Sequence, residues 1–210
     1  VPVVGGNVSL YNESAGTDID PTPVIGLLGM VDRLDRRPPG ATLVDGHRLL
    51  LLGPEPDGLG GSRWGASHGA PGGRLPDLDL AVVADVAALV RGLVSDGLVD
   101  GVHDVSSGGL GVALAEMAAR SGVGVHVARV PDHRALFGEA PGRIVIVVHP
   151  DWLVEVFARA EAAGVETSRI GLATGDRFTV KGLVDIGVDE VTAAFTDRLP
   201  EALGAGTASR

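Results

Sequence analysis

The chain has 210 residues, 45% of them hydrophobic and 21% charged, which suits one sizeable core and not a disordered segment. A formal net charge of −10 argues against a nucleic-acid surface, and the absence of cysteine excludes disulfides, thiolate metal sites and cysteine nucleophiles. No apolar run approaches the ~20 residues that cross a bilayer, so neither nucleic acid nor membrane is an expected partner.

Of the 17 basic residues Lys181 is the only lysine, which rules out a P-loop. A phosphate ligand must then be held by backbone N–H groups, by arginine or through a bridging metal ion. The 32 glycines accompany only 3% aromatics, a bias that lowers the weight of any single glycine cluster.

In chain order, residues 1–11 read as a strand end running into a tight glycine loop, and 12–23 as a polar linker. Residues 24–31 and 48–52 read as buried strands. Residues 53–76 form a long glycine-rich segment carrying a short helix near Gly60-Gly-Ser-Arg-Trp; a loop of that length in a compact domain is usually functional or mobile. Helical spacing of Val83, Val86, Ala87, Val90 and Val94 predicts a helix over 80–97. A short strand at 102–105 leads to a helix starting around Ser107, with Leu110, Leu114 and Met117 inward and Gly122 as its stop.

A strand at 123–127, a helical turn near Arg134 and a strong strand at 143–148 follow. The helix over 151–163 places Leu153, Val156, Phe157 and Ala160 on one face. Residues 169–173 and 177–180 read as a hairpin around Thr174-Gly-Asp, a last helix covers 188–195, and 204–210 reads as a disordered tail. Strands and helices interleave irregularly, which predicts an α+β layered domain with a mixed or antiparallel sheet and packed helices, not a parallel βαβ sheet.

Three segments offer chemistry. In Gly5-Gly-Asn-Val-Ser-Leu-Tyr-Asn-Glu the glycines let the backbone approach an anion, Asn7 offers a neutral oxygen suited to Mg²⁺, and Ser9 a hydroxyl. A helix cap by Asn7 or Ser9 is the plainer alternative. His103-Asp-Val-Ser-Ser-Gly-Gly-Leu ends a strand and opens a helix, whose exposed N–H groups and dipole make an anion site. There Ser106 or Ser107 is a candidate cap, Gly108 and Gly109 permit close approach, and tight glycine packing against a sheet is the alternative. A direct His103–Asp104 pair is not expected, because adjacent strand residues point to opposite faces. In Leu136-Phe-Gly-Glu-Ala-Pro-Gly-Arg, Glu139 and Arg143 are presented from a loop to a ligand, with a structural ion pair or a turn as the alternative. The six histidines lack metal-ligand spacing and read as solvated or core residues.

These three segments, in this order, resemble the phosphoribosylformylglycinamidine synthase family, within the superfamily of aminoimidazole ribonucleotide synthetase. The resemblance implies the fold of that synthetase's C-terminal domain. Residues 1–20 would be a remnant of the second N-type, ATP-binding domain, 21–200 the second C-type domain, and 201–210 a disordered tail. It implies an ATP-dependent carbon–nitrogen ligase of purine biosynthesis, with ATP and Mg²⁺ as cofactors and a cytoplasmic location. Formylglycinamide ribonucleotide is the implied substrate, a glutaminase subunit and a small bridging subunit the implied partners.

On the matching positions the resemblance gives Gly6 to ATP, Asn7 to Mg²⁺ and Ser9 to substrate, with the family's catalytic histidine and several metal-binding carboxylates lying upstream of Val1. It places Asp104, Ser106, Ser107, Gly108, Gly109, Glu139 and Arg143 near a second, auxiliary nucleotide site. Ser107 stands where the family usually has an aspartate, which weakens metal or phosphate binding there. The expectation for this chain alone is an inactive portion of the enzyme. The alternatives are another ATP-dependent member of the superfamily, such as a selenophosphate synthetase, or a non-catalytic nucleotide-binding scaffold.

Overall fold

A computed structural model describes residues 1–7, 13–19, 22–30 and 37–204. The chain divides into two compact units, Val1–Arg37 and Pro38–Arg210. The first holds only a small ribbon, β1 (Glu13–Ser14) paired antiparallel with β2 (Thr17–Asp18). Its turn places Ala15 at φ 52 and Gly16 at φ 79. Residues 24–30, expected as a buried strand, are irregular and exposed, with Leu28 at 95% and Met30 at 89%; Val31 lies outside the described residues. Apolar sequence does not make a strand unless a neighbour supplies ladder hydrogen bonds, and the described residues of this unit pair no strand with it.

The second unit carries β3 (Arg48–Leu52), α1 (Arg63–Ser67), α2 (Leu80–Asp96), β4 (Gly101–Asp104), α3 (Gly109–Ser121), β5 (Val125–Val127), α4 (His133–Phe137) and β6 (Ile144–Val148). Then come α5 (Leu153–Ala162), β7 (Thr167–Ala173), β8 (Arg177–Val180), β9 (Val184–Gly187), α6 (Val188–Thr196) and α7 (Arg198–Ala202). Caps fit their sequences. Asp79 accepts from the N–H groups of Ala81 and Val82 at the start of α2, and Gly97 at φ 71 closes it. Asp132 does the same for α4, and Gly122 at φ 65 stops α3. The expected tail from residue 201 begins inside α7, while residues 205–210 lie outside the description.

Seven strands form one sheet in the order β4-β6-β3-β7-β5-β8-β9. Every pairing is antiparallel except β5 with β8. Because β3 and β6 are apolar at successive positions, both of their faces are buried. Leu49, Leu51, Val145 and Val147 join Leu110, Leu114 and Met117 of α3 in one cluster. Leu50, Leu52, Ile146 and Val148 join Val86 and Leu93 of α2 and Val156 of α5 in the other. The result is the layered α+β architecture expected, with helices on both faces of a mixed sheet.

The expected hairpin of 169–173 with 177–180 is not formed. β7 and β8 flank β5, which pairs antiparallel with β7 and parallel with β8. The turn at Thr174-Gly-Asp is instead held by Gly124: its N–H donates to the Gly175 carbonyl at 2.7 Å, and its carbonyl accepts from Thr174 N–H at 2.8 Å. A Cβ on Gly124 would stand 2.4 Å from the Arg177 carbonyl oxygen and 2.7 Å from that of Thr174. Only glycine lets β5 slip between the two strands. β8 makes its hairpin with β9, an element that the periodicity of the sequence does not reveal.

One carboxylate ties the loops at one end of the sheet. Glu139 Oε1 accepts from Arg63 N–H at 2.7 Å and from Gly108 N–H at 2.8 Å, joining the start of α1 to the start of α3.

Two stability changes follow, both measurable by urea unfolding. Gly124→Val should destabilise by about 2–4 kcal/mol, since backbone oxygens cannot yield to the new methyls; an unchanged midpoint would contradict the insertion of β5. Glu139→Ala should cost about 1–3 kcal/mol by leaving two N–H groups unsatisfied, and Glu139→Gln, which keeps an acceptor oxygen, clearly less. Equal losses for the two variants would mean that the carbonyl-type oxygen is not what matters.

Candidate functional site

A cavity of about 640 Å³ opens where β4 gives way to α3 and the loop before β6. Asp104, Ser106, Ser107, Glu139 and Arg143 all line it, so the second and third sequence segments meet in one place. Val83, Val86 and Ala87 of α2 supply an apolar wall, and Gly60, Gly61, Leu75 and Pro76 a second wall. A volume of this size suits a drug-sized or nucleotide-sized ligand.

Sequence reasoning did not place those two walls. The signal for the second was present, since the length of the glycine-rich segment marked it as functional or mobile. It folds back on itself: Gly61 N–H donates to the Gly72 carbonyl at 3.2 Å, and Gly60 lies so close to Arg74 that a Cβ there would meet its carbonyl oxygen at 2.0 Å.

Arg143 is the most constrained group in the cavity. It precedes β6 directly and is only 3% exposed. Its Nη1 donates to the Gly138 carbonyl at 3.1 Å, while Nε has no partner among the described residues. Burial pushes its pKa below the usual arginine value, partly opposed by the field of Glu55. The expected alternative of a Glu139–Arg143 ion pair is not formed. Glu139 faces the two N–H groups instead. A buried guanidinium with an unsatisfied N–H beside a cavity is costly in the empty protein and suited to an anion that enters.

The start of α3 differs from expectation. Its N-cap is Gly108 at φ 87, and neither Ser106 nor Ser107 caps it by a side-chain bond. The N–H of Gly108 is taken by Glu139, and that of Gly109 by the Ser106 carbonyl at 2.9 Å. Gly108 and Gly109 lie beside the cavity and do not line it. Gly109, at φ 68, packs so tightly on α4 that a Cβ would stand 2.7 Å from the Phe137 backbone. Close helix packing is thus one role of this glycine pair.

Asp104 and His103 do approach each other, against expectation. His103 Nδ1 lies 3.2 Å from Asp104 Oδ1, and its Nε2 lies 3.3 Å from Glu116 Oε2. Asp104 is the last residue of β4, where the pleat that separates neighbouring side chains ends. A hydrogen bond from Ser106 holds the Asp104 carboxyl below the ordinary aspartate range, against partial burial and with help from a backbone N–H and His103. Asp104 is therefore an anion at neutral pH, and Arg143 is the cation across the same cavity.

Gly6 and Asn7 belong to the first unit and are exposed, with nothing within 4 Å of a Cβ placed on Gly6. Ser9 lies outside the described residues. No group of three or more His, Asp or Glu side chains among the described residues is placed to hold a metal ion. No helix among the described residues is long and apolar enough to cross a membrane.

The model of a family described as "AIR synthase related protein, C-terminal domain" matches residues 44–182. Among curated proteins, the phosphoribosylformylglycinamidine synthase subunit PurL of a Nocardioides species is 46% identical over 208 residues, covering 97% of this chain and 27% of that protein. The same subunit of Methylocella silvestris is 41% identical over 212 residues, covering 97% and 28% respectively. The chain thus spans a little over a quarter of the length of these relatives. A Thermotoga maritima PurL solved with ATP superimposes with a TM-score of 0.60 at 18% identity, over 76% of this chain and 28% of that one. That protein solved with FGAR gives 0.60 at 19% identity, over 73% and 29%. These likenesses carry the fold, and the sequence match carries the family: the chain belongs to the AIR synthase related proteins, in their C-terminal domain.

Proposed function

We propose that this chain is the C-terminal portion of a PurL-type large subunit of phosphoribosylformylglycinamidine synthase. The observation that carries the reading is 46% identity to such a subunit across 97% of the chain. In the reaction of the whole enzyme, the terminal phosphoryl group of ATP passes to the formamide oxygen of formylglycinamide ribonucleotide. Ammonia then adds to that carbon and phosphate leaves, giving the amidine, ADP and phosphate. The ammonia comes from glutamine on a glutaminase subunit joined through a small bridging subunit, in the cytoplasm. A Thermotoga maritima assembly described as PurLQS supports a multi-subunit arrangement for relatives.

In that enzyme Gly6 would contact ATP, Asn7 a magnesium ion and Ser9 the substrate. Magnesium takes about six oxygen ligands in near-octahedral geometry. Asn7 offers one neutral oxygen, and the described residues gather no acidic cluster, so they do not make a magnesium cage by themselves. Without such a cage, and with no general base assigned, the chain is proposed to be inert alone.

The cavity around Arg143 is proposed as the auxiliary nucleotide site. Thermotoga maritima PurL has been solved with ATP, ADP and AMPPCP, which supports nucleotide binding in the family. The Arg143 guanidinium is the donor for a phosphate oxygen, Ser106 and Ser107 line the same cavity, and the α2 wall of Val83, Val86 and Ala87 suits an apolar ring face. The competing reading, a scaffold without nucleotide, is favoured by the use of Gly108 N–H and Gly109 for internal contacts.

Two measurements test these readings. With ATP, formylglycinamide ribonucleotide and ammonia, the full chain should give no amidine, and turnover by these residues would overturn the inert reading. ADP should raise the melting temperature of the chain, and Arg143→Met should weaken ADP binding about tenfold or more while leaving stability unchanged or higher, because it removes an unsatisfied buried charge. Undiminished ADP affinity in Arg143→Met would remove Arg143 from the site, and no ADP effect at all would favour the scaffold.

A further inference from the structure

A second recess, of about 550 Å³, lies elsewhere in the second unit. Its lining includes Arg48, His126, Arg129, Phe157, Arg169 and Leu172, and it contains no aspartate or glutamate. That composition is unusual in a chain with 27 acidic residues and 17 basic ones.

The fold explains how these groups converge. α2 and α5 bury the Leu50 and Ile146 face of β3 and β6. Beyond β3 the same face continues across β7, β5 and β8, where Arg48, Leu172, His126 and Thr179 stand in register on successive strands. Here no helix buries it: His126 is exposed, and Leu172 and Thr179 are half-buried. The pairing of β3 with β7 shifts register between Leu49, opposite Gly171, and Leu50, opposite Arg169. The extra residue, Ile170, enters the core at 2% exposure, and Arg169 is re-aimed to the open face beside Arg48. Bulges commonly serve to redirect a side chain in this way. Phe157 was expected in the buried stripe of α5, but only Val156 and Ala160 of that helix are buried. Phe157 is 36% exposed and forms part of the recess wall.

The three arginines are not neutralised from within. Ion pairs among the described residues engage Arg74, Arg120, Arg159 and Arg177, and not Arg48, Arg129 or Arg169. Arg48 makes one hydrogen bond, to the Gly46 carbonyl at 3.0 Å. His126 is fixed through its Nδ1, 2.8 Å from Thr179 Oγ1, which leaves its other nitrogen available. Guanidinium forks match phosphate oxygens, and several around one recess recognise linked phosphates better than a single charge. The volume suits a small molecule, and the exposed ring of Phe157 offers a flat apolar contact beside the cations.

We propose that this recess binds a polyphosphate-bearing small molecule, with Arg48, Arg129 and Arg169 on the phosphates. It is separate from the cavity around Arg143, with which it shares no lining residue.

The test is calorimetric titration of the full chain with inorganic tripolyphosphate. The expected result is saturable binding, weakened about tenfold by each of Arg129→Gln and Arg169→Gln. Both sites are exposed, and circular dichroism of the variants would verify that they fold. Arg177→Gln, at an arginine paired with Asp185 and outside this recess, should retain the affinity for tripolyphosphate. The proposal is overturned if the unaltered chain does not bind tripolyphosphate, if the two groove variants bind it equally well, or if Arg143→Met alone abolishes binding. It is also overturned if a glutamate-rich peptide binds at the same arginines and tripolyphosphate does not compete with it.

Discussion

Burial of β3 and β6 on both faces is the constraint from which the rest of the second unit follows. Eight consecutive-strand positions, Leu49 to Leu52 and Val145 to Val148, are at most 8% exposed. A pair of strands with no wet face needs a helical layer on each side, and α2 with α5 and α3 with α6 supply them. The strand that enters this interior carries Arg143 with it, one residue before the ladder begins. The charge is held at the edge of the core by its position in the chain, in a residue that lines the cavity and whose Nε is buried without a partner among the described residues. Packing and chemistry at that point are the same fact seen from two sides.

Glu139 gives the cavity its shape. By accepting from Arg63 and Gly108 it fixes both the short helix of the glycine-rich segment and the start of α3. Its negative charge also occupies the terminus where an incoming anion would otherwise bind most readily. Arg143, further along the same loop, is the arginine that lines the cavity. Asp104, held ionised by Ser106, sets the opposite sign across the cavity. A ligand carrying phosphates alone would meet Asp104 unfavourably, whereas one bringing a cation with its phosphates would satisfy both walls.

Much of the fold was legible because its signals are local. The apolar runs at 48–52 and 143–148, the helical spacing in α2 and α3, and the glycine stop at Gly122 all placed elements within a few residues. What was not legible depends on distant partners. The Thr174-Gly-Asp turn looks like a hairpin, yet Gly124, about fifty residues away in sequence, directs β5 between its arms. Residues 24–30 have strand composition but no ladder partner among the described residues of their unit. For the site, the two motifs around Asp104 and Glu139 were readable as words, and the fold brings both, with Arg143, to the wall of one cavity. The capping by Glu139, the orphaned Nε and the bulge that exposes Arg169 are products of tertiary contact, with no periodic trace in sequence. Phe157 shows the limit well: the helical stripe predicted it inward, and its position one residue past Val156 turns it to the rim.

The central proposal is that the buried, under-satisfied Arg143 marks a nucleotide site. A crystal structure of the full chain grown with ADP and magnesium tests it most directly. The account predicts phosphate density within hydrogen-bonding distance of the Arg143 guanidinium, in the cavity walled by Val83 and Ser106. A structure in which ADP is bound elsewhere, while that cavity holds only water against Arg143, would contradict it.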